Sequence, residues 1–155
     1  MSEPHPVITV LCPTDPDVEL RTPPGLDSLR EQAQIRITDP EHLAEDISGS
    51  HVLFLWDFFS EAVQQAWPHA DSLQWIHVAA AGVDTLLFDE LADSSVTVTN
   101  AQGIFDRPIA EWVLGAVLAE AKDFAGNYRN KTQKRWDHRE TKRAEGAQAV
   151  IIGTG

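Results

Sequence analysis

Up to about residue 106 the apolar residues fall into short runs separated by helix-spaced or polar stretches. Val7-Ile8-Thr9-Val10-Leu11-Cys12 is a continuous run rich in β-branched residues, which reads as a strand covered on both faces, and Pro13 ends it. Thr14 to Gly25, with Pro16, Pro23, Pro24 and several acids, reads as a loop. Leu26, Leu29 and Ala33 have helical spacing. Gln34 to Thr38 alternates as a second strand. Asp39-Pro40 then opens a helix, with Asp39 as N-cap and Leu43, Ala44 and Ile47 as its buried stripe. His51 to Trp56 predicts strand three. Ser60 to Trp67 predicts a helix capped by Ser60 and stopped before Pro68. Leu73 to Ala79 is strand four, Val83 to Ala92 a helix, and Val96 to Thr99 strand five. Strands alternating with helices imply an α/β, flavodoxin-like, doubly wound parallel five-stranded sheet. Its ligand crevice should lie beyond the carboxyl ends of the strands.

One turn on that edge stands out. The apolar run from Trp75 to Ala79 stops at Ala80, Ala81 and Gly82, where no side chain exceeds a methyl. Successive backbone N–H groups can point outward from such a turn and form a nest for an anion, here a small carboxylate. An ordinary strand-to-helix turn accounts for the same residues.

Beyond residue 106 the pattern changes. Pro108 suits the first turn of a long helix traced by Ile109, Val113, Ala116, Val117, Glu120 and Phe124, with Gly126 ending or bending it. Asn127 to Glu145 is polar and basic and predicts a second helix anchored by Tyr128 and Trp136; a solvated face explains its charge better than an anion site. Gln148 to Ile152 reads as a strand running into Gly153-Thr154-Gly155. That is the order a dinucleotide fingerprint needs, although a lone Gly-x-Gly is weak evidence.

Composition narrows the function. The net charge of the 155 residues is −12, unevenly placed: up to Asp106 three basic residues face eighteen acidic ones, while from Arg107 onward nine basic face six acidic. An acidic body repels phosphate backbones, which argues against nucleic acid as a partner, and an anionic substrate must be held by local donors. No apolar run reaches the roughly 20 residues of a membrane span. Residues 1–6 show no signal-peptide pattern, so a cytoplasmic location with no membrane partner is expected. The single cysteine, Cys12, reads as a small buried hydrophobe. No His-x-His or Cys-x-x-Cys spacing suggests a metal; His77 reads as a packed or half-exposed strand residue, His5 and His138 as surface positions, and His42, His51 and His69 have no paired carboxylate at useful spacing.

Four ordered motifs then carry a resemblance. They are Trp75-Ile76 with Ala80-Ala81-Gly82-Val83-Asp84; Val98-Thr99-Asn100-Ala101-Gln102-Gly103-Ile104; Arg107-Pro108-Ile109-Ala110-Glu111-Trp112; and Arg135-Trp136 with Ala149 to Gly155. Together the chain resembles the N-terminal half of the D-isomer-specific 2-hydroxyacid dehydrogenases, the group that includes glyoxylate/hydroxypyruvate reductases and D-3-phosphoglycerate dehydrogenase. The likeness is sharpest from Leu73 to Gly155.

The resemblance implies a substrate-binding domain over 1–106, interdomain helices over 107–146, and the start of an NAD(P)-binding Rossmann domain over 147–155. It implies a substrate carboxylate held at Ala81, Gly82 and Val83, with Asn100 lining the cleft. Ile109 would lie near the nicotinamide, and Gly153 and Gly155 would belong to the cofactor site, for NAD or NADP. The substrate would be a small 2-keto or 2-hydroxy acid. The family's catalytic Arg, carboxylate and His lie beyond the Gly-rich loop, so these 155 residues alone are expected not to turn over substrate. An unpaired apolar strand at 149–152 and an unpartnered helix predict either association, as a homodimer, or a disordered tail. Two other readings compete. One is a non-catalytic binding domain on the same fold. The other is a receiver-like module phosphorylated at Asp57, which lacks the acidic pair after strand one and has Asn100 where a lysine would stand.

Overall fold

Five parallel strands lie in the order β2-β1-β3-β4-β5. They are β1 (Val7–Leu11), β2 (Gln34–Thr38), β3 (Val52–Leu55), β4 (Trp75–Val78) and β5 (Thr97–Asn100). This is the flavodoxin-like doubly wound order, with its reversal between β1 and β3. The computed structural model describes residues 5–19 and 21–153 and divides into two units, Met1–Gln102 and Gly103–Gly155.

Alternation along each strand sends side chains to two faces, and register aligns them across the sheet. Leu11 stands opposite Leu55, which stands opposite Val78; Leu53 stands opposite Ile76. These residues form the larger core with Leu43 and Ile47, Val63 and Ala66, and Leu86 and Leu91. They come from α1 (Leu43–Asp46), α2 (Ala62–Ala66), a 3-10 turn at Asp84–Leu86 and α3 (Asp89–Ala92), and from Ile47 just after α1. On the other face Val10, Cys12 and Leu26 form a smaller cluster with Ile8, Ile35, Phe54 and Trp56. Within the larger core Thr9 and Ser50 are both fully buried, and their hydroxyls pair at 2.7 Å, so neither polar atom is orphaned. Arg36 on the edge strand β2 donates to the Asp46 and Ser48 carbonyls at the end of α1, where a cation is favoured.

The strands fall where the hydrophobic pattern places them; the helices are shorter. Each of α1 to α3 has only four or five residues, because so short a helix is held by its buried apolar side chains and not by its own propensity. Asp39 does not cap α1. Its carboxylate instead accepts the Glu41 and His42 amides in the turn before the helix, and His42 takes the N-cap place. Ser60 likewise holds the Ala62 amide while Glu61 is the N-cap, and Pro68 lies inside a 3-10 turn, Trp67–His69. The stretch predicted as one helix over Val83 to Ala92 breaks at Phe88, whose backbone is extended and whose ring is buried against Trp67.

The second unit holds α4 (Asp106–Ala121) and α5 (Phe124–Thr132). The break falls at Asp123, in left-handed conformation at φ 47°, and not at Gly126. Asp123 accepts the Gly126 amide at 3.0 Å and pairs with Arg139. A Cβ on Gly126 would collide with the Asp123 carboxylate, so the cap requires glycine there. The helix predicted to reach Glu145 stops at Thr132, followed by Lys134 at φ 52°. Tyr128 and Trp136, read as anchors, are 70% and 90% exposed. Gln148 to Ile152 forms no strand, and Val150 and Ile152 stand in solvent, because a strand needs a neighbour to satisfy its ladder.

Ile76 is fully buried between β3 and β5, so Ile76→Ala should cost about 2–5 kcal/mol, read as a lowered urea midpoint. The Arg139 guanidinium first, and the Gly126 amide second, hold the Asp123 carboxyl below the usual carboxylate range. A carboxyl lowered on folding stabilises above its unfolded value and loses that contribution as pH falls through the folded one. A carboxyl NMR titration should therefore place the Asp123 midpoint below that of a free aspartate. Arg139→Gln should move the midpoint up.

Candidate functional site

The carboxyl end of β4 is built by what its carbonyls bind. The Ala79 amide still donates to Leu55, continuing the ladder one residue past the strand. The Ala80 carbonyl then accepts the Ala101 amide at 3.0 Å, and the Ala81 carbonyl accepts Asn100 Nδ2 at 2.6 Å. Val83 accepts from Leu86 to begin the 3-10 turn. The amides of Ala80, Ala81, Gly82 and Val83 meet no acceptor among the described residues. Four successive free donors at one strand end can take a carboxylate through charge-assisted hydrogen bonds.

Gly82 does not have a positive φ, and a Cβ there would meet only the flexible Asp84 carboxylate, at 2.9 Å. Its value is therefore open space beside the amides, not an otherwise forbidden backbone. Asn100 is turned back on the chain: its amide nitrogen braces Ala81 and its oxygen accepts from the Gln102 amide at 3.4 Å.

Beside this turn lies a hollow of about 240 Å³ lined by Phe58, Phe59, Ala80, Gly82, Asp84 and Thr85. The Thr85 hydroxyl donates to the Phe58 carbonyl at 3.4 Å and ties the loop after β3 to the turn after β4. A second hollow of about 260 Å³ shares Phe58 and Phe59 and runs to Pro13, Val18, Trp56 and Asp57. The amides of Trp56 and Asp57 both donate to the Leu11 carbonyl, which fixes that loop to the end of β1. Phe58 and Phe59 were not singled out in the sequence; the available signal was two bulky aromatics just past an apolar strand, where a loop is normally polar. A larger apolar hollow of about 510 Å³ follows Leu86 to Val98 beside edge strand β5, with Asp89 the one titratable side chain among the described residues that line it.

In the second unit, Ile109 and Gly153 line one groove of about 580 Å³ with Val113, Val117 and Ile151. Gly153 has φ 85°; Gly155 lies outside the described residues. Among the described residues no Lys or Arg lines this groove.

The remaining candidate chemistry is structural, with one correction to the sequence reading: His42 does have a carboxylate partner, Asp39, 2.8 Å from its Nδ1 in the exposed turn before α1. Burial first, and the Asp57 charge second, push the Cys12 thiol up, which keeps it protonated and inert. Asp57 itself has its amide on Leu11 and its carbonyl on the Ser60 amide. His51 Nδ1 accepts the Val7 amide at the start of β1. His77 lies mid-strand, half-buried between Phe54 and Trp75, with Nδ1 2.8 Å from the Thr99 hydroxyl. Among the described residues no three His, Cys, Asp or Glu cluster as metal ligands, and no helix is long and apolar enough to cross a membrane.

Solved structures share this architecture. A D-isomer specific 2-hydroxyacid dehydrogenase family protein from Aeromonas salmonicida subsp. salmonicida A449 is 22% identical. Its TM-score is 0.64, over 87% of this chain and 42% of that one. The apo form of Rhodotorula graminis D-mandelate dehydrogenase is 17% identical (TM-score 0.60, 84% and 41%). A probable 2-hydroxyacid dehydrogenase from Rhizobium etli CFN 42, in complex with NADP, HEPES and L(+)-tartaric acid, is also 17% identical (TM-score 0.57, 88% and 41%). This chain thus spans about two fifths of the length of each. No curated protein matches it. The family described as D-isomer specific 2-hydroxyacid dehydrogenase, catalytic domain, matches residues 17–152, most of the chain and both units. With five parallel strands in flavodoxin-like order and that match, the chain belongs to the D-isomer specific 2-hydroxyacid dehydrogenases.

Proposed function

We propose that this chain is the substrate-binding part of an NAD(P)-dependent oxidoreductase that interconverts a small 2-keto acid, such as glyoxylate or hydroxypyruvate, with its 2-hydroxy acid. The carrying observation is the row of unengaged amides from Ala80 to Val83 beside a hollow. The amides of Ala81, Gly82 and Val83 hold the carboxylate, and Asn100 keeps them presented by occupying the Ala81 carbonyl. Tartaric acid and NADP bound to the Rhizobium etli relative agree with a hydroxy-acid substrate and a nicotinamide cofactor. The nicotinamide supplies or accepts the hydride; this chain's own part is to orient the substrate carboxylate.

In this reading residues 1–106 form the substrate domain, 107–146 the interdomain helices and 147–155 the opening of the cofactor domain. Ile109, Gly153 and Gly155 face the cofactor only when that domain is complete, and these 155 residues alone bind neither NAD nor NADP. They also lack the family's Arg, carboxylate and His, so they do not turn over substrate. A cytoplasmic location suits a substrate of this kind.

A backbone NMR titration of the 155-residue chain with glyoxylate tests the assignment. The amides of Ala81, Gly82 and Val83 should shift together, and no NADH or NADPH should be consumed in a parallel assay. Asn100→Ala releases the Ala81 carbonyl and should weaken binding about threefold to tenfold, the worth of one hydrogen bond. Unmoved amides would sink the reading. Trp112, Leu114 and Trp136 are well exposed, at 75%, 60% and 90%, which favours a homodimer. Light scattering should give twice the mass of the chain.

A further inference from the structure

Phe59 is 81% exposed, although its neighbour Phe58 is half-buried and the two rings stand 4.6 Å apart. A large ring left in water at the mouth of a crevice marks a surface that something apolar covers. The pair divides two hollows. One holds Ala80 and Gly82 of the amide turn, and the other holds Pro13, Val18 and Trp56 at the ends of β1 and β3. Those strands flank the point where the strand order reverses, the place where open α/β sheets take ligands.

The charges in these hollows are of one sign. Asp84 stands in the first and Asp57 in the second, and among the described residues no Lys or Arg lines either. A ligand anchored by one carboxylate at residues 81–83 can gain by laying a hydrocarbon or aromatic substituent on Phe58 and Phe59. A second carboxylate or a phosphate would meet Asp57 or Asp84 with no cation to offset it.

We infer that the crevice selects 2-keto monocarboxylates with a bulky apolar substituent, aromatic above all, and rejects substrates carrying a second negative charge. This rests on the carboxylate reading of residues 81–83 and extends it to the other end of the ligand. Phe58 and Phe59 bind the substituent; Asp57 and Asp84 set the exclusion.

The test titrates the 155-residue chain with phenylpyruvate, glyoxylate and 2-oxoglutarate, following the amides of Ala81 to Val83 and the rings of Phe58 and Phe59. Phenylpyruvate should shift both sets and bind about tenfold more tightly than glyoxylate, the worth of one well-packed ring contact. 2-Oxoglutarate should bind no more tightly than glyoxylate, and Asp57→Asn should improve it. Phe59→Ala should cost phenylpyruvate about tenfold, and Phe59→Leu less; the ring is exposed, so neither change threatens the fold. Equal affinity for phenylpyruvate and glyoxylate, or ring signals that stay put while the amides move, would overturn the inference and leave the carboxylate site standing. If none of the three ligands moves the amides, the carboxylate reading itself fails.

Discussion

Two carbonyls decide what the turn after β4 can do. The Ala101 amide and the Asn100 side chain occupy the oxygens of Ala80 and Ala81, so this stretch of backbone spends its acceptors on the protein and keeps its donors. A buried turn would have to pair both kinds of group. This one sits at the rim, with Ala81 and Gly82 exposed, where donors can wait for a ligand at the cost of contact with water. The arrangement depends on register. Asn100 ends β5 opposite Val78, and that alignment brings its side chain back to Ala81.

Register in turn depends on the core. A slip of one residue would send Ile76 and Val78 to the other face and leave His77 pointing into Leu43, Ile47 and Val63. The apolar pairs Leu53–Ile76 and Leu55–Val78 prevent it. The same sheet positions the opposite wall, because Leu11 binds the Trp56 and Asp57 amides and Thr85 binds Phe58. The crevice is a set of loop residues held by three strand ends, which is how a short sheet places groups that are distant in sequence.

Charge makes the local donors necessary. The first unit is strongly acidic, so its field does not draw an anion in, and screening confines that repulsion to about a Debye length of 10 Å at moderate salt. Within that range, amide dipoles in contact with a carboxylate outweigh more distant carboxylates, whereas a ligand's second charge has no such contact. In the proposed reading affinity and selectivity come from different groups: backbone donors at one end, aromatic rings and acids at the other.

The chain's own pattern determined all five strands to within two residues, their parallel doubly wound order, and the small-residue turn at 80–82, because apolar alternation and chain connectivity are local properties. It overreached on the helices, where Phe88 was drawn into the core and Asp123 and Lys134 took left-handed conformations that no periodicity announces. It also read a strand at 148–152, where β-propensity without a partnering edge produces none. Only the tertiary structure decided that Gly82 provides space and not an unusual backbone, that Asn100 braces the turn, and that Phe58 and Phe59 meet it across the sheet. The last two are contacts between residues 19 to 27 positions apart, which belong to the folded packing; the first is a backbone angle that residue size alone does not reveal.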